Sequence, residues 1–386
     1  MRQGLLYLGT ENALYVTFDD GEKWLPFQSN LPHAPVYWLT VQEQFNDLVV
    51  GTHGRGFWIM DDITPLQQLE SNVLNSDAYL FAPRPAYRFR DITDPFDQSD
   101  DPTAGKNPPY GASINYYLKA APRGDVSIQI LDAKGQIIRY LQGSGLPGIN
   151  RIWWDLRYEE SNEFIQLRTS PAYAPEIRVG PEGWRSYPVS EGGRILIMAP
   201  PGTYIVKLTV DNREFTQSLT VRKDPHSGGT EEDIQSQLVM LKDLEKDLGV
   251  VARMVNTIEL VRAQLYNLST LVLDEEKEAQ VRASADELDK KLIDIEENLI
   301  QRKHGGQGAD YVGWPAQLVR KIIYLADGLG SSDFTPTTQQ REVYALLKEK
   351  IQSCQGQLDT LLSQDLNAFN NLLKEKKIQN IFIRVP

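Results

Sequence analysis

A stretch near the start of the chain returns in degenerate form further on, and this repeat limits the possible folds more than any other feature. Residues 6–20 are echoed by residues 48–62, so that Gly9-Thr10 returns as Gly51-Thr52 after 42 residues. Repeats of about 40 to 50 residues with short apolar strands and glycine turns are typical of β-propeller blades. We therefore predict that residues 1–65 form two incomplete blades of a partial β-propeller. The predicted strands span residues 5–9, 13–18, 23–27, 36–42, 47–52 and 56–61.

The first copy ends in a turn with the pattern Ser/Thr-x-Asp-x-Gly-x-x-Trp, filled by Thr17, Asp19, Gly21 and Trp24. The carboxylate accepts N–H groups of the turn, the glycine tolerates a positive φ, and the tryptophan begins the next strand with a large ring. The motif resembles the Asp box of bacterial neuraminidase repeats, where it is a turn away from the active centre. The resemblance implies a structural role for these four residues.

Two partial blades cannot close a ring, and they leave strand edges without a partner. Unpaired edges invite pairing with another chain or coverage by a neighbouring domain. We therefore expect the protein to self-associate through its open propeller-strand edges.

Length and charge exclude several classes of protein. A chain of 386 residues is too long for one core, so two or three domains are expected. The net charge of −12 disfavours nucleic acid and anionic membrane as partners. No apolar run reaches the roughly 18 residues that a membrane span needs, and the first residues do not form a signal peptide. The protein is therefore either cytoplasmic as it stands or a piece of a longer exported polypeptide.

The repeat stops after Pro65, and residues 66–109 are expected to be a linker that contains a dense acidic loop. Carboxylates two to four residues apart on irregular backbone are a common way to wrap calcium in oxygen ligands. The alternative is a solvated acidic linker without a metal. The candidate calcium ligands are Asp91, Asp94, Asp97, Asp100 and Asp101.

Residues 110–224 alternate in the manner of strands and predict an immunoglobulin-like β-sandwich, with Trp153 or Trp154 in its core. The insertion at 159–193 is too long for an ordinary hairpin loop, and we expect it to cover the propeller segment. Its aromatic residues could instead bind sugars, because aromatic rings stack on pyranose faces. The candidate binding residues are Trp184, Tyr173 and Tyr187. The seven predicted strands span residues 113–119, 126–131, 136–141, 150–155, 194–198, 203–210 and 215–221.

From Thr230 the apolar period becomes helical, and residues 230–377 predict an antiparallel four-helix bundle followed by a tail at 378–386. The predicted helices begin near residues 230, 274, 314 and 337. Their charged faces are interpreted as solvated surface. The fold class expected for the whole chain is thus multidomain β plus α.

Four segments, at residues 48–63, 148–158, 201–210 and 365–370, resemble the C-terminal third of large bacterial sortilin-like proteins. These proteins are often labelled BNR-repeat glycosyl hydrolases. The resemblance implies export and a full propeller upstream, with the sandwich and the helices as appended modules.

The sequence leaves two classes of function open. In the first, the chain is a non-catalytic binding or scaffold segment that recognises a peptide or a glycan. In the second, it is a hydrolase of glycosides or of small esters or lactones, in which a calcium ion held by the acidic loop could act as a Lewis acid. The candidate catalytic residues are His53, Arg55, Asp61 and Asp62. Convergence of these four residues in one concave pocket would favour the hydrolase.

Overall fold

A computed structural model describes residues 2–90, 105–171, 174, 176–189, 193–271, 275–303 and 314–383. The protein combines several β-sheets with helices. It divides into two compact units, of which the first contains Met1–Glu159 and Met198–Ser227 and the second contains Glu160–Ile197 and Gly228–Pro386. Within the described ranges, every helix is too short or too polar to cross a lipid bilayer.

The first unit begins with two three-stranded antiparallel sheets. The first sheet contains β1 (Leu6–Gly9), β2 (Leu14–Thr17) and β3 (Leu25–Pro26). The second sheet contains β4 (Val36–Gln42), β5 (Asp47–Thr52) and β6 (Phe57–Met60). In both sheets consecutive strands are neighbours, so each sheet is a meander. All six strands lie where the apolar pattern of the sequence predicts them.

The turn between β2 and β3 holds the Asp-box residues in a local hydrogen-bonded structure. The Thr17 hydroxyl donates to Asp19 Oδ1 at 2.6 Å and accepts the Gly21 N–H at 3.1 Å. Asp19 Oδ1 also accepts the Lys23 N–H at 2.9 Å, and the indole of Trp24 lies beside Gly21. The bonds from Thr17 and Lys23 lower the pKa of Asp19. The contacts of Asp19 therefore stay within the turn, as expected for a structural motif.

One face of the first sheet packs on one face of the second. Tyr7 and Leu14 from the first sheet share an apolar core with Leu48 and Val50 from the second. The strands β1 and β4 approach closely at Gly9, where a Cβ atom would come 2.7 Å from a backbone oxygen of the neighbouring strand. A larger residue at Gly9 would therefore force the two sheets apart.

Residues 66–109 were expected to form a linker, and the structure corrects this for the described part of the range. Two short helices and two short strands lie at or within its start: α1 (Thr64–Gln68), α2 (Ser71–Asn75), β7 (Ala78–Leu80) and β8 (Ala86–Arg88). Each has five residues or fewer. Elements of this length give no periodicity that a sequence pattern could detect.

The rest of the first unit is built from two further sheets around one core. Its sheet orders are β11-β10-β15-β16-β8 and β12-β9-β7. Trp154 is fully buried between them, in the same core as Ile114, Ile128 and Val206. The strand predicted at 194–198 is absent: Met198 makes an isolated bridge to Arg157, and Ile195 and Ile197 are buried on irregular backbone. The strands are β9 (Ala112–Leu118), β10 (Val126–Leu131), β11 (Ile137–Gly143), β12 (Gly148–Trp154), β15 (Gly202–Val210) and β16 (Arg213–Lys223). Two further strands, β13 (Gln166–Leu167) and β14 (Arg185–Ser186), belong to the second unit.

The second unit contains the long helices. They are α3 (Glu231–Leu271), α4 (Glu275–Leu299), α5 (Leu318–Gly330), α6 (Thr338–Ser363) and α7 (Asp365–Glu375). Helix α3 packs against α4, α5 and α6. The fourth predicted helix is divided at Gln364, whose φ and ψ of −108° and −66° interrupt it without a proline or a glycine. A break without either residue leaves no signal in the sequence.

The described part of the insertion 159–193 packs on helix α3, and its expected cover of the propeller segment stays a prediction. The Gln166 N–H donates to Asn256 Oδ1 at 2.7 Å, and Asn256 Nδ2 donates to the Phe164 carbonyl at 2.9 Å. Within the insertion, β13 and β14 pair as an antiparallel ladder. Asn256 of α3 thus forms hydrogen bonds with backbone groups of the insertion. The polar face of this helix was expected to be solvated surface, so the sequence did not predict these contacts.

Candidate functional site

His53 and Arg55 lie in the turn between β5 and β6, and both side chains are exposed. The turn is closed by Thr52, whose N–H and hydroxyl both donate to the Gly56 carbonyl, at 3.1 and 2.7 Å. Gly54 and Gly56 adopt φ of 80° and 72°, which explains the two glycines. The His53 ring lies 5.4 Å from the ring of Tyr37. The turn is thus a tight local structure beside an aromatic residue.

Asp61 and Asp62 lie at the other end of β6. The four residues of that strand separate them from the turn by roughly 13 Å at the usual rise per residue. Arg151 donates to the carbonyls of Asp61 and Asp62 at 2.8 and 2.6 Å. The structure therefore does not bring the four candidate catalytic residues into one pocket.

The Asp62 carboxylate is buried and is used for packing. Its Oδ2 accepts the Asn115 amide at 2.9 Å and the Ser113 hydroxyl at a shorter distance, both from β9. Burial raises the pKa of Asp61, and the neighbouring Asp47 carboxylate raises it further. These contacts attach the end of β6 to the sheet β12-β9-β7, which is a structural role.

The second sheet exposes an apolar surface on the side away from its core. Trp38 is 72% exposed, Phe57 83% and Ile59 59%. Trp38 and Phe57 both lie opposite Gly51 in the strand register, and Ile59 lies opposite Val49. Because Gly51 has no side chain, Trp38 and Phe57 approach it closely from both sides: a Cβ there would lie 3.3 Å from Trp38 and 3.7 Å from Phe57. We call Trp38, Phe57 and Ile59 the aromatic face.

The aromatic face was not among the residues singled out from the sequence, although a signal for it exists. Strand β4 reads Val-Tyr-Trp-Leu-Thr-Val-Gln, with apolar residues on both of its sides. A strand with one solvated face should alternate apolar and polar residues. Exposed apolar surface that is contiguous is characteristic of interaction sites.

The aromatic residues proposed in the insertion are engaged in packing. The Trp184 ring lies 5.2 Å from that of Phe164 in an edge-on arrangement. Tyr187 is buried, and its hydroxyl accepts the Gln301 N–H at 3.0 Å. Tyr187 thus stabilises the second unit, whereas Trp184 is only half-buried and sugar binding by it stays a prediction. Tyr173 lies outside the described residues.

The proposed calcium ligands Asp91, Asp94, Asp97, Asp100 and Asp101 all lie outside the described residues. Among the residues that the structure describes, there is no group of three or more side chains suited to hold a metal ion.

A charged cluster is buried in the second unit, although the charged helix faces were expected to be solvated surface. Arg262 Nη1 donates to Glu259 Oε1 and to Glu296 Oε2, each at 2.9 Å. Its Nε donates to Asp289 at 2.8 Å, and Arg302 Nε lies 3.0 Å from Glu296 Oε2. The sequence pattern could not reveal this cluster, because its members come from different helices.

The cluster also binds the insertion. The hydroxyl and the N–H of Thr169 donate to Glu259 at 2.7 Å each, and the Arg168 N–H donates to it as well. Burial alone would raise the pKa of Glu259, but the bond from Thr169 and the charge of Arg262 lower it. Glu259 is therefore a carboxylate that fixes the insertion on α3.

Glu296 differs from Glu259 in its protonation state, because its pKa is raised and not lowered. Burial raises its pKa to about 8, and the Glu259 carboxylate adds to this effect. Its Oε1 makes no hydrogen bond within the described part of the chain, and the residue lines a cavity of about 10 Å³. Such a cavity holds about one water molecule, so an organic substrate does not fit there.

Replacing Glu296 by glutamine should remove a specific pH dependence. In the folded protein Glu296 keeps its proton up to about pH 8, whereas in the unfolded chain it loses the proton near pH 4.5. The folded state thus binds more protons between these pH values, so the free energy of unfolding falls as the pH rises through this window. We expect Glu296→Gln to match the natural protein near pH 5 and to become more stable than it towards pH 8. Urea unfolding at both pH values measures the difference, and a constant difference would contradict the assignment.

No family model matches the chain, and no curated protein matches it either.

Proposed function

We propose that this chain is a non-catalytic binding segment of an exported sortilin-like protein with BNR repeats, and that it recognises a peptide or a glycan. The observation that carries the proposal is the aromatic face, where three large apolar side chains of one sheet are exposed. Aromatic rings in such positions supply most of the affinity in many binding sites. Arg55 and His53 at the adjacent turn would contribute polar contacts to the ligand.

The fold fits the same proposal. Two meander sheets that stack face to face, with an Asp-box turn between β2 and β3, are compatible with two adjacent blades of a β-propeller. The two sheets around Trp154 are compatible with an immunoglobulin-like sandwich. In this interpretation the sandwich and the helical unit are accessory modules of the propeller.

A binding role is favoured over hydrolysis by the arrangement of the candidate catalytic residues. His53 and Arg55 lie at one end of β6 and Asp61 and Asp62 at the other. Asp62 is also buried in contacts with the sandwich. A general acid and base must both reach one reacting bond.

Binding of the labelled protein to glycan and peptide arrays tests the proposal. We expect a ligand whose binding is weakened about tenfold or more by Trp38→Ala or by Phe57→Ala. Tyr324→Ala is the matched control, because Tyr324 is an equally exposed aromatic residue in the second unit. Equal binding by all four proteins would contradict the proposal. Turnover of chromogenic glycosides or esters that is lost in His53→Ala would instead establish the hydrolase.

A further inference from the structure

The stack of two sheets in the first unit shows which surfaces fit each other. The side of the first sheet that contains Tyr7, Leu14 and Val16 faces the second sheet, and Leu14 is in the shared core. The side of the second sheet that receives it contains Leu48 and Val50. The contact is therefore made by two different surfaces, one from each copy of the repeat.

The strand register shows which residues of the two copies are equivalent. Gly9 pairs with Leu14 in the first copy, whereas Gly51 pairs with Phe57 in the second. The second hairpin is thus one residue longer, which corrects the constant spacing of 42 that the sequence suggests. Before the hairpin the offset is 42 residues, and after it the offset is 43.

With this register, the first repeat has an exposed counterpart of the surface that contains Leu48 and Val50. Leu6 and Leu8 are the equivalents of Leu48 and Val50. Leu48 and Val50 are 1% and 3% exposed, whereas Leu6 and Leu8 are each 43% exposed. We call Leu6 and Leu8, together with Tyr15 opposite Leu8, the leucine face.

The second repeat has an exposed counterpart of the surface that contains Leu14 and Val16. Phe57 and Ile59 are the equivalents of Leu14 and Val16. Leu14 and Val16 are buried within the stack, while Phe57 and Ile59 are exposed and belong to the aromatic face. The two surfaces that meet inside the chain are therefore both open, one at each end of the stack.

We infer that the aromatic face of one molecule of the protein packs on the leucine face of a second molecule. The contact would continue the sheet-on-sheet packing that the chain already makes within itself. It rests on the proposed function, in which the aromatic face is a binding surface, and it names a protein partner for that face. The surfaces are different, so the association is heterologous and produces a ring or an open chain of subunits. It uses the faces of the sheets, whereas the sequence predicts contact through the strand edges.

Two variants of the full chain test the inference by complementation. In Leu6→Glu/Leu8→Glu the leucine face carries charges, and in Phe57→Glu/Ile59→Glu the aromatic face does. All four residues are exposed, so both variants should fold, which circular dichroism can check. We expect the natural protein to increase in mass with concentration in sedimentation velocity, and each variant alone to stay monomeric. An equimolar mixture should give a heterodimer and nothing larger, because each variant keeps the surface that the other lacks.

Three outcomes would overturn the inference. The natural protein could stay monomeric at all concentrations, a variant could still associate alone, or the mixture could stay monomeric. The second would indicate contact between like surfaces or through the strand edges. The proposed function is tested separately on Leu6→Glu/Leu8→Glu, which keeps the aromatic face intact and should still bind the array ligand as a monomer. Loss of ligand binding with intact complementation would contradict the proposed function alone.

Discussion

Replacing Trp154 by alanine should lower the free energy of unfolding by about 3–5 kcal/mol. The side chain is fully buried in the core that the sheet β12-β9-β7 shares with the five-stranded sheet, 5.1 Å from the ring of Tyr204. Its Nε1 donates to the Arg157 carbonyl at 2.8 Å, so the substitution leaves both a large cavity and an unsatisfied carbonyl. Urea unfolding followed by far-UV circular dichroism measures the loss.

Trp153→Ala is the matched control for this prediction. Trp153 precedes Trp154 on β12, so its side chain points to the opposite side of the sheet and is only half-buried. We expect a clearly smaller loss, because less apolar surface leaves water when Trp153 packs. Equal losses in the two variants would show that this core is not centred on Trp154.

The sequence could predict the elements whose apolar period is long or repeated. Strands β4 and β5 and helix α3 appear in the structure close to their predicted places, because five or more residues establish each pattern. The same reasoning could not choose between Trp153 and Trp154, since that choice depends on which side of β12 faces the core. It also missed β7 and β8, which have three residues each.

The candidate site was predicted only in part, because the sequence does not show the strand register or which sheet face is exposed. The glycines around His53 and Arg55 mark the turn between β5 and β6 in the sequence, and the turn is present. That Asp61 and Asp62 lie at the far end of β6 follows only from the register of the strands. The exposure of Trp38 and Phe57 depends on what covers the sheet, which no local pattern encodes.

Replacing Arg262 by methionine should also lower the free energy of unfolding by about 3–5 kcal/mol, in the second unit. Arg262 bonds to Glu259, Glu296 and Asp289. The first two carboxylates are buried, and Glu259 loses the ion pair that it makes with Arg262. A methionine fills much of the same volume, so the expected loss reflects uncompensated charge and not a cavity.

Arg253→Met separates this effect from a general cost of removing an arginine from α3. Arg253 pairs with Glu163 of the insertion, but both side chains are roughly half exposed. Water screens such a pair, so we expect a change below about 1 kcal/mol. Hydrogen exchange should show the difference locally: Arg262→Met should expose the backbone N–H groups of Arg168 and Thr169, which donate to Glu259, while Arg253→Met should leave them protected. If both variants lost the same stability, burial of the charges would not be what makes Arg262 important.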